Sequence, residues 1–296
     1  MQKVSILHLI TAAKNPSPFD VNMAFDAGFD KIVPYTNVEL AEVEALTQDA
    51  MFSRSPSGVK REALFFGGRD IHLALDMQHT AQNAMFTPFE MSTMADPSGA
   101  FTTAAAMLAK IDAQLKLMDE SLAQQTIAIF GATGTVGSTS ALIAATENAN
   151  VQLVAHKDVT SMQAYADKLQ VRYEVKLQVV DGTSDAAKAI VLANARVAIC
   201  AATAGLQVLK KTNFIQSANL KIMADVNAVA PSGIEGVDVM SDGGEIAGSH
   251  ILGIGALAIG QLKYKTQQQL LQQMLVVEAP QHLSYKHAFA IARDLL

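Results

Sequence analysis

Apolar and polar positions divide the first third of the chain into short apolar runs and segments with helical spacing. The apolar runs predict three strands, at 4–10, 31–33 and 63–66. The segments with helical spacing lie between and after them, at 19–27, 38–46 and 70–85. Because strands that alternate with helices usually pair in one sheet, this pattern predicts an α/β domain with an open parallel sheet.

A longer helical pattern runs from Thr102 to about Leu117 without a helix breaker, and we expect it to connect two domains. Beyond it, apolar runs predict five strands, at 126–130, 151–155, 173–180, 197–202 and 221–225. Helices are predicted at 138–147, 161–169, 184–193, 264–275 and 285–296. The chain is therefore predicted to form a first α/β domain over 1–118 and a second over 119–275, and 296 residues suffice for two cores.

The amino-acid composition narrows the range of possible functions. Half of the residues are apolar and 17% are charged, which fits sheets covered on both faces. The formal net charge is −6 and the basic residues are scattered, so we expect no nucleic-acid partner. Cys200, the single cysteine, lies in the apolar run 197–202 and is predicted to be buried, which excludes an internal disulfide and a cysteine-rich metal site.

Location and assembly follow from the same apolar pattern. No apolar run approaches the roughly 20 residues that span a bilayer, so we expect no membrane partner. The segment 1–13 is weak as a secretory signal and better as a first strand, which favours a cytoplasmic protein. The excess of apolar residues favours a homo-oligomer.

The strongest local signal is a glycine-rich turn between a strand and a helix. Gly131, Gly134 and Gly137 follow the buried strand 126–130, and a second strand comes at βαβ spacing. A turn without side chains lets a pyrophosphate approach backbone N–H groups at a helix N-terminus. The spacing departs by one residue from the G-x-G-x-x-G pattern of Rossmann-type domains, and a turn that only packs is the alternative. The candidate cofactor residues here are Gly131, Thr133, Gly134, Thr135, Val136 and Gly137.

The end of the second strand indicates which nicotinamide is used. His156 and Lys157 come there before Asp158, and basic residues at this position accommodate a 2′-phosphate. We therefore predict NADP as the preferred cofactor, with use of both NAD and NADP as the main alternative. A solvated Lys157 without a ligand is the other reading.

Two polar residues at later strand ends are further cofactor or substrate candidates. Thr203 follows 197–202 and Asn227 follows 221–225, at the edge where parallel sheets bind ligands. A local turn role is the alternative for both. The seven histidines lack metal-ligand spacing, and we predict no metal.

At this point the sequence resembles a known family, the bacterial NAD(P)-dependent methylenetetrahydromethanopterin dehydrogenases of methylotrophs. The motifs span nearly the whole chain and are 17–20, 66–70, 96–106, 224–228, 255–257 and 259–263. The resemblance implies a fold like the bifunctional methylenetetrahydrofolate dehydrogenases, with a pterin-side first domain and a Rossmann-type second domain. It also implies a C-terminal helix, placed at 276–296, that packs back on the first domain. It also implies oxidation of methylene-tetrahydromethanopterin to the methenyl form during formaldehyde oxidation. Ala132, Thr133 and Thr135 depart from the turn of some members, which leaves the cofactor preference open.

The resemblance also implies the catalytic residue. Lys263 matches the family's active-site lysine and follows 255–260, which we expect to be flexible. A lysine beside the product cation would be unfavourable, so Lys263 is assigned to a hydrogen bond with a polar atom of the pterin. Lys265 competes for this role, and a solvated Lys263 is the alternative.

Four residues of the first domain are candidate substrate contacts. Asp20 and Asp96 are placed to complement the methenyl cation or to bind the pterin's amino group, although each could instead cap a helix. Thr102 and Thr103 are candidates for the same site or for capping the long helix.

Three rival functions share the same cofactor turn. A methylenetetrahydrofolate dehydrogenase would use the other pterin, and a shikimate-type NADP dehydrogenase would combine a similar pair of domains. A non-catalytic NADP-binding sensor would not need Lys263. No separate cyclohydrolase apparatus is evident.

Overall fold

The structure, a computed structural model, describes residues 4–276 and 278–296. Residues 1–3 of the first predicted domain and Val277 of the predicted closing helix lie outside these ranges. The chain divides into two compact units. One comprises Met1–Thr102, Tyr264–Ile291 and Leu295, and the other comprises Thr103–Lys263, Ala292–Asp294 and Leu296. This division falls inside the long helix rather than at 118, so the domain boundaries stay a prediction.

The first unit contains a five-stranded parallel sheet. Its strands are β1 (Ile6–Ile10), β2 (Lys31–Tyr35), β3 (Glu62–Phe66), β4 (Ser92–Ala95) and β12 (His282–Leu283), in the order β12-β4-β3-β1-β2. Its helices include α1 (Pro18–Ala27), α2 (Val43–Phe52), α3 (Pro56–Val59) and α4 (Ile71–Ala84). All five residues of β3 are buried, so the core of this unit lies around its central strands.

Local sequence signals explain these helices. Ser17 caps α1, Pro18 occupies its first turn, and Gly28 ends it with a φ of 109°. Asp70 caps α4 through the backbone N–H groups of His72 and Leu73. The helix predicted at 38–46 is wrong in its bounds, because a 3-10 turn at Leu40–Glu42 precedes α2, which runs to Phe52.

The second unit contains a seven-stranded sheet. Its strands are β5 (Thr126–Phe130), β6 (Asn150–Ala155), β7 (Gln178–Asp181), β8 (Val197–Cys200), β9 (Ile222–Asp225), β10 (Asp242–Glu245) and β11 (Leu252–Ile254). The order is β10-β11-β9-β8-β5-β6-β7, and only β10 is antiparallel to its neighbour. Without β10 this is the 3-2-1-4-5-6 order of a doubly wound dinucleotide-binding sheet, and the predicted Rossmann-type fold is confirmed.

The remaining helices complete both units. They are α5 (Ala100–Lys116), α6 (Thr135–Thr146), α7 (Val159–Tyr173), α8 (Asp185–Asn194), α9 (Lys211–Phe214), α10 (Ala256–Gln273) and α11 (Tyr285–Asp294). In the described residues, no helix combines the length and the apolar character needed to cross a membrane.

Three sequence-based expectations about these elements are wrong. The strand predicted at 173–180 is confined to Gln178–Asp181, because α7 continues to Tyr173 and Glu174 then adopts a left-handed conformation with a φ of 54°. The segment expected to be flexible at 255–260 is the start of α10. The C-terminal helix placed at 276–296 covers only Tyr285–Asp294, close to the helical pattern at 285–296, because β12 precedes it.

The C-terminal segment packs back on the first unit, as predicted. Strand β12 pairs with β4, and the side-chain amide of Gln78 in α4 donates a hydrogen bond of 2.8 Å to the carbonyl of Leu283. The ring of Tyr285, at the start of α11, lies edge-on to Phe101 of α5 with ring centroids 5.5 Å apart.

Candidate functional site

The glycine turn between β5 and α6 has no room for side chains at two of its positions. Gly131 has a φ of 79°, and a Cβ there would lie 2.5 Å from the carbonyl oxygen of Ala201 after β8. A Cβ on Gly137 would lie 2.3 Å from the carbonyl oxygen of Gly131. The strand, the turn and the helix therefore pack closely enough that only glycine fits at both positions.

Helix α6 begins at Thr135, three residues earlier than predicted, so Thr135, Val136 and Gly137 form its first turn. Gly134 is the N-cap residue and supplies no side-chain cap. The Ser138 hydroxyl lies 2.5 Å from the hydroxyl of Tyr165 on α7 and 2.9 Å from the carbonyl oxygen of Ala132, which fixes the underside of the turn. The first N–H groups of α6 and its dipole thus form an anion-binding position.

A cavity of about 430 Å³ opens beside this turn, at the carboxyl end of the second sheet. Of the predicted cofactor residues, it is lined by Gly131, Thr133, Gly134, His156 and Thr203. The other predicted residues, Thr135, Val136, Gly137, Lys157 and Asn227, are not part of its lining. The cavity thus brings together residues from the ends of β5, β6 and β8.

Sequence reasoning missed the part of this cavity that follows β7. Gly182, Thr183 and Lys188 line it. The Lys188 ammonium donates a hydrogen bond of 2.9 Å to the carbonyl oxygen of Val208, which also lines the cavity. The available signal was positional, because these residues follow the third parallel strand at the edge where ligands bind.

Asp158, the acidic residue after Lys157, has a structural role at the start of α7. Asp158 caps α7, with its carboxylate accepting hydrogen bonds from the Ser161 hydroxyl at 2.5 Å, the Ser161 backbone at 2.8 Å and the Thr160 backbone at 3.1 Å. These bonds, led by that of the Ser161 hydroxyl, hold the pKa of Asp158 below its ordinary value. His156 and Lys157 are both exposed, so two basic side chains stand at this strand end while the carboxylate is occupied.

Asn227 shapes the loop after β9. Its side-chain amide donates to the carbonyl oxygen of Pro231 at 3.0 Å, and its side-chain oxygen accepts from the backbone of Val229 at 2.9 Å. The buried Asp225 carboxylate accepts from the backbones of Asn227 and Ile234, and burial raises the pKa of Asp225. The buried side chains of Asn227 and Asp225 therefore hold the backbone of this loop in place.

Cys200 lies next to this loop at the end of β8 and is 1% exposed. Burial, with a smaller contribution from the Asp225 carboxylate, raises the pKa of its thiol to about 12. The thiol therefore stays neutral near neutral pH.

The predicted substrate residue Asp20 lies on α1, and the predicted catalytic residue Lys263 lies on α10. Asp20 in α1 is 4% exposed and accepts a hydrogen bond of 2.9 Å from the side-chain amide of Gln267 in α10. Lys263 is half-buried in α10, whereas Lys265 is exposed. Lys263 lies one helical turn before Gln267, so the two side chains leave α10 on the same face.

Asp96 and Thr102 form a buried capping arrangement at the start of α5. One oxygen of Asp96 accepts from the backbones of Phe101 at 2.9 Å and Thr102 at 3.3 Å, and the other accepts from the Thr102 hydroxyl at 2.6 Å. Both residues are 0% exposed. Thr103 is half-buried. The geometry gives Asp96 the capping role that was one of its two readings from the sequence, whereas Thr102 lies inside α5 and donates its hydroxyl to Asp96 instead of capping the helix.

Metal-binding side chains are not clustered in the part of the chain that the structure describes. No group of three or more His, Cys, Asp or Glu residues there is arranged to hold a metal ion.

Comparisons with known proteins agree with this fold. A family profile described as "Methylene-tetrahydromethanopterin dehydrogenase, N-terminal" matches residues 18–98. The chain is 39% identical over 292 residues to the NAD(P)-dependent methylenetetrahydromethanopterin dehydrogenase of Methylorubrum extorquens strain AM1, and the match covers 98% of each chain. It is 32% identical over 250 residues to the bifunctional protein MdtA of the same organism, covering 84% of this chain and 85% of that protein. Shikimate 5-dehydrogenase from Listeria monocytogenes aligns with a TM-score of 0.51 at 14% identity, covering 99% of this chain and 96% of that one.

The strand order and the glycine turn define a Rossmann-type dinucleotide-binding protein, and the alignment with the shikimate dehydrogenase shows a shared fold. The identity of 39% over nearly the full length goes further. The chain belongs to the methylenetetrahydromethanopterin dehydrogenase family, which confirms the resemblance drawn from the sequence.

Proposed function

We propose that this protein oxidises methylene-tetrahydromethanopterin to methenyl-tetrahydromethanopterin with NAD(P) as the hydride acceptor. The observation that carries the proposal is the glycine turn, which opens on a cavity of about 430 Å³ in a chain 39% identical to a dehydrogenase of that name. The reaction belongs to one-carbon oxidation.

The residues of the turn fit a dinucleotide. The pyrophosphate binds the N–H groups of the first turn of α6, at Thr135, Val136 and Gly137, and Gly131 and Gly134 let it approach. Thr133 and Thr203 border the same cavity and supply hydroxyl groups to the cofactor. When bound, the nicotinamide ring supplies a carbon that accepts a hydride.

We further propose that NADP is preferred over NAD. Both His156 and Lys157 are exposed at the end of β6, where a 2′-phosphate would extend from the ribose. Asp158, the acid that could otherwise accept from a ribose hydroxyl, has its carboxylate occupied as the cap of α7. Asn227 supports cofactor binding indirectly, by holding the loop after β9.

The chain's own residues act mainly by position, because the reacting carbon lies between two nitrogens. Loss of a hydride leaves a cation that both nitrogens share, so no strong base is needed, and placing the substrate supplies several kcal/mol of the barrier. Lys263 is proposed to donate a hydrogen bond to a polar atom of the pterin. Asp20 is proposed to stabilise the positive charge of the product or to bind the pterin's amino group. Asp96 and Thr102 fix the first turn of α5, and Thr103 in the same turn is proposed as a substrate contact.

We also propose a cytoplasmic homo-oligomer. Three phenylalanines form an exposed aromatic cluster on the first unit, with the ring of Phe52 6.0 Å from Phe86 and 5.7 Å from Phe89 between centroids. Phe52 is 59% and Phe86 51% exposed. Apolar surface of this kind favours burial between subunits.

The test is a set of initial rates, in which NADP and NAD are each mixed with methylene-tetrahydromethanopterin, methylene-tetrahydrofolate and shikimate. Reduction of NADP by the methanopterin substrate at the highest kcat/KM supports the proposal. Faster reduction with the folate substrate or with shikimate would instead support the corresponding rival dehydrogenase. No reduction with any substrate, together with NADP binding, would support a sensor.

The variant Lys263→Met tests whether Lys263 binds the pterin or is only a solvated lysine. It should lower turnover sharply and leave the dissociation constant of NADP nearly unchanged, because the lysine is assigned to the pterin. Lys265→Met is the matched control and should keep normal turnover. Normal turnover of Lys263→Met would remove this lysine from the mechanism.

A further inference from the structure

A second cavity, of about 280 Å³, lies at the carboxyl end of the first sheet. Ala12, from the loop after β1, forms one side, and Gly67, Gly68 and Arg69, from the loop after β3, form another. Leu73 and Met77 of α4 complete the wall. None of these residues was among the predicted site residues.

This cavity lies where open parallel sheets commonly bind ligands. β1 pairs with β2 on one side and with β3 on the other, so the connection from β2 to β3 crosses β1. The strand order therefore reverses between β1 and β3. Ligands bind outside the carboxyl ends of strands at such a switch point, and the cavity is lined by the loops that follow these two strands.

The cavity has an apolar wall, and the charged residues of its lining are Arg69 and Asp70. Arg69 is exposed, and its guanidinium forms no hydrogen bond or ion pair with residues in 4–276 or 278–296. Asp70, its neighbour, caps α4, and one of its carboxylate oxygens accepts hydrogen bonds from the backbones of His72 at 2.8 Å and Leu73 at 3.1 Å. A planar guanidinium that is unpaired at a cavity suits a carboxylate or a phosphate, which it can bind with two parallel hydrogen bonds.

The loop that carries Arg69 is tied to the segment of the proposed substrate residues. Gly68 has a φ of 114°, and its carbonyl oxygen accepts a hydrogen bond of 2.8 Å from the hydroxyl of Ser98. Ser98 stands two residues after Asp96, which caps α5. Arg69 is thereby held at the same edge of the sheet as Asp96.

We propose that this cavity binds the tail of the pterin substrate, with an apolar part of the tail on Leu73 and Met77 and its acidic group on Arg69. The assignment rests on the proposed function, because it takes the ligand to be a pterin that extends beyond its reacting ring. Arg69 is then a specificity-determining residue that recognises the substrate without touching the reacting carbon.

The test compares Arg69→Met with Lys31→Met, which removes a positive charge from the opposite, amino end of the same sheet. Each variant and the unaltered protein are assayed with methylene-tetrahydromethanopterin and with a methylene-tetrahydropterin that lacks the tail. Arg69→Met should raise the KM for the full substrate about tenfold or more, since a charged hydrogen bond is lost. The KM for NADP and kcat should not change, and Lys31→Met should behave like the unaltered protein.

The tail-free substrate identifies the part of the ligand that is recognised. Its KM should be the same for the unaltered protein and for Arg69→Met, because the group that pairs with the guanidinium is absent. Added salt should raise the KM of the unaltered protein for the full substrate and leave that of Arg69→Met nearly constant.

A second variant fills the cavity without removing a charge. Ala12 is exposed, so Ala12→Leu is placed to narrow the cavity while leaving the core intact, and it should also raise the KM for the full substrate. If the unaltered protein is active and both variants keep its KM for the full substrate, the cavity assignment is overturned and the proposed function stands. If the unaltered protein oxidises no methylene pterin, the proposed function and the assignment both fall.

Discussion

The side-chain amide of Gln267 donates a hydrogen bond of 2.9 Å to the carboxylate of Asp20, and this bond joins α10 to α1. Gln267 is 0% and Asp20 4% exposed, so water does not readily replace either partner. A buried carboxylate that loses a donor costs about 1–3 kcal/mol. We therefore predict that Gln267→Leu lowers the free energy of unfolding by about this amount and also lowers kcat/KM for the pterin.

Gln272→Leu is the matched control, because Gln272 is exposed on the same helix. Urea unfolding of both variants should separate them. Equal stability of the two would mean that the bond to Asp20 contributes nothing measurable.

Gly137→Ala should disrupt the cofactor turn. The added Cβ would meet the carbonyl oxygen of Gly131 at 2.3 Å, and that backbone atom can move only if the turn moves. We expect a lower Tm and weaker NADP binding, measured by thermal unfolding and by isothermal titration.

Gly260→Ala provides the comparison, since a Cβ there has nothing within 4 Å and the position is helical. This variant should bind NADP normally and gain up to about 1 kcal/mol of helix stability. If the two variants bound NADP equally well, close packing at Gly137 would not matter for the cofactor.

Lys157→Ala should change cofactor selectivity. An ammonium that pairs with a 2′-phosphate contributes to NADP binding alone, so the KM for NADP should rise about tenfold while that for NAD stays constant. Lys168→Ala, which removes another exposed lysine from α7, is the control. A parallel rise of both KM values in Lys157→Ala would contradict the assignment of the 2′-phosphate.

Because its thiol is buried, we predict that Cys200 lowers the free energy of unfolding at alkaline pH. The folded protein keeps the thiol neutral up to a pKa of about 12, whereas the thiol of an unfolded chain ionises near its ordinary value of 9.0. Ionisation therefore favours the unfolded state as the pH rises from 9.0 to about 12.

Urea unfolding of the unaltered protein and of Cys200→Ala, at about pH 8 and about pH 10, measures this effect. The difference in stability between the two proteins should shift in favour of Cys200→Ala at the higher pH. A difference that does not depend on pH would show that the thiol does not titrate as described.

Local physical signals determined which features could be predicted from the sequence. The glycine turn was found because its chemistry and its strand and helix neighbours lie within a few consecutive residues. The helices predicted at 70–85 and 184–193 are also present, and in the structure Asp70 and Ser184 cap them. The lining by Thr183 and Lys188 was missed, because it depends on how the end of β7 lies against the loop after β8.

The elements that were mistaken show the same limit. Strand β10 reads Asp-Gly-Gly-Glu and has no apolar alternation, so only its pairing with β11 makes it a strand. Gly255 and Gly260 suggested a flexible segment, but a Cβ at Gly255 would meet the carbonyl oxygen of Asp238 at 2.1 Å. There glycine serves close packing before α10, which the sequence alone does not distinguish from flexibility.

Isotope transfer tests the central claim of hydride transfer most directly. Methylene-tetrahydromethanopterin carrying deuterium on its methylene carbon is mixed with the protein and NADP, and the reduced nicotinamide is analysed by mass spectrometry. The account predicts one deuterium in NADPH, because the hydride passes directly from the methylene carbon to the ring. Unlabelled NADPH, or no NADPH at all, would contradict it.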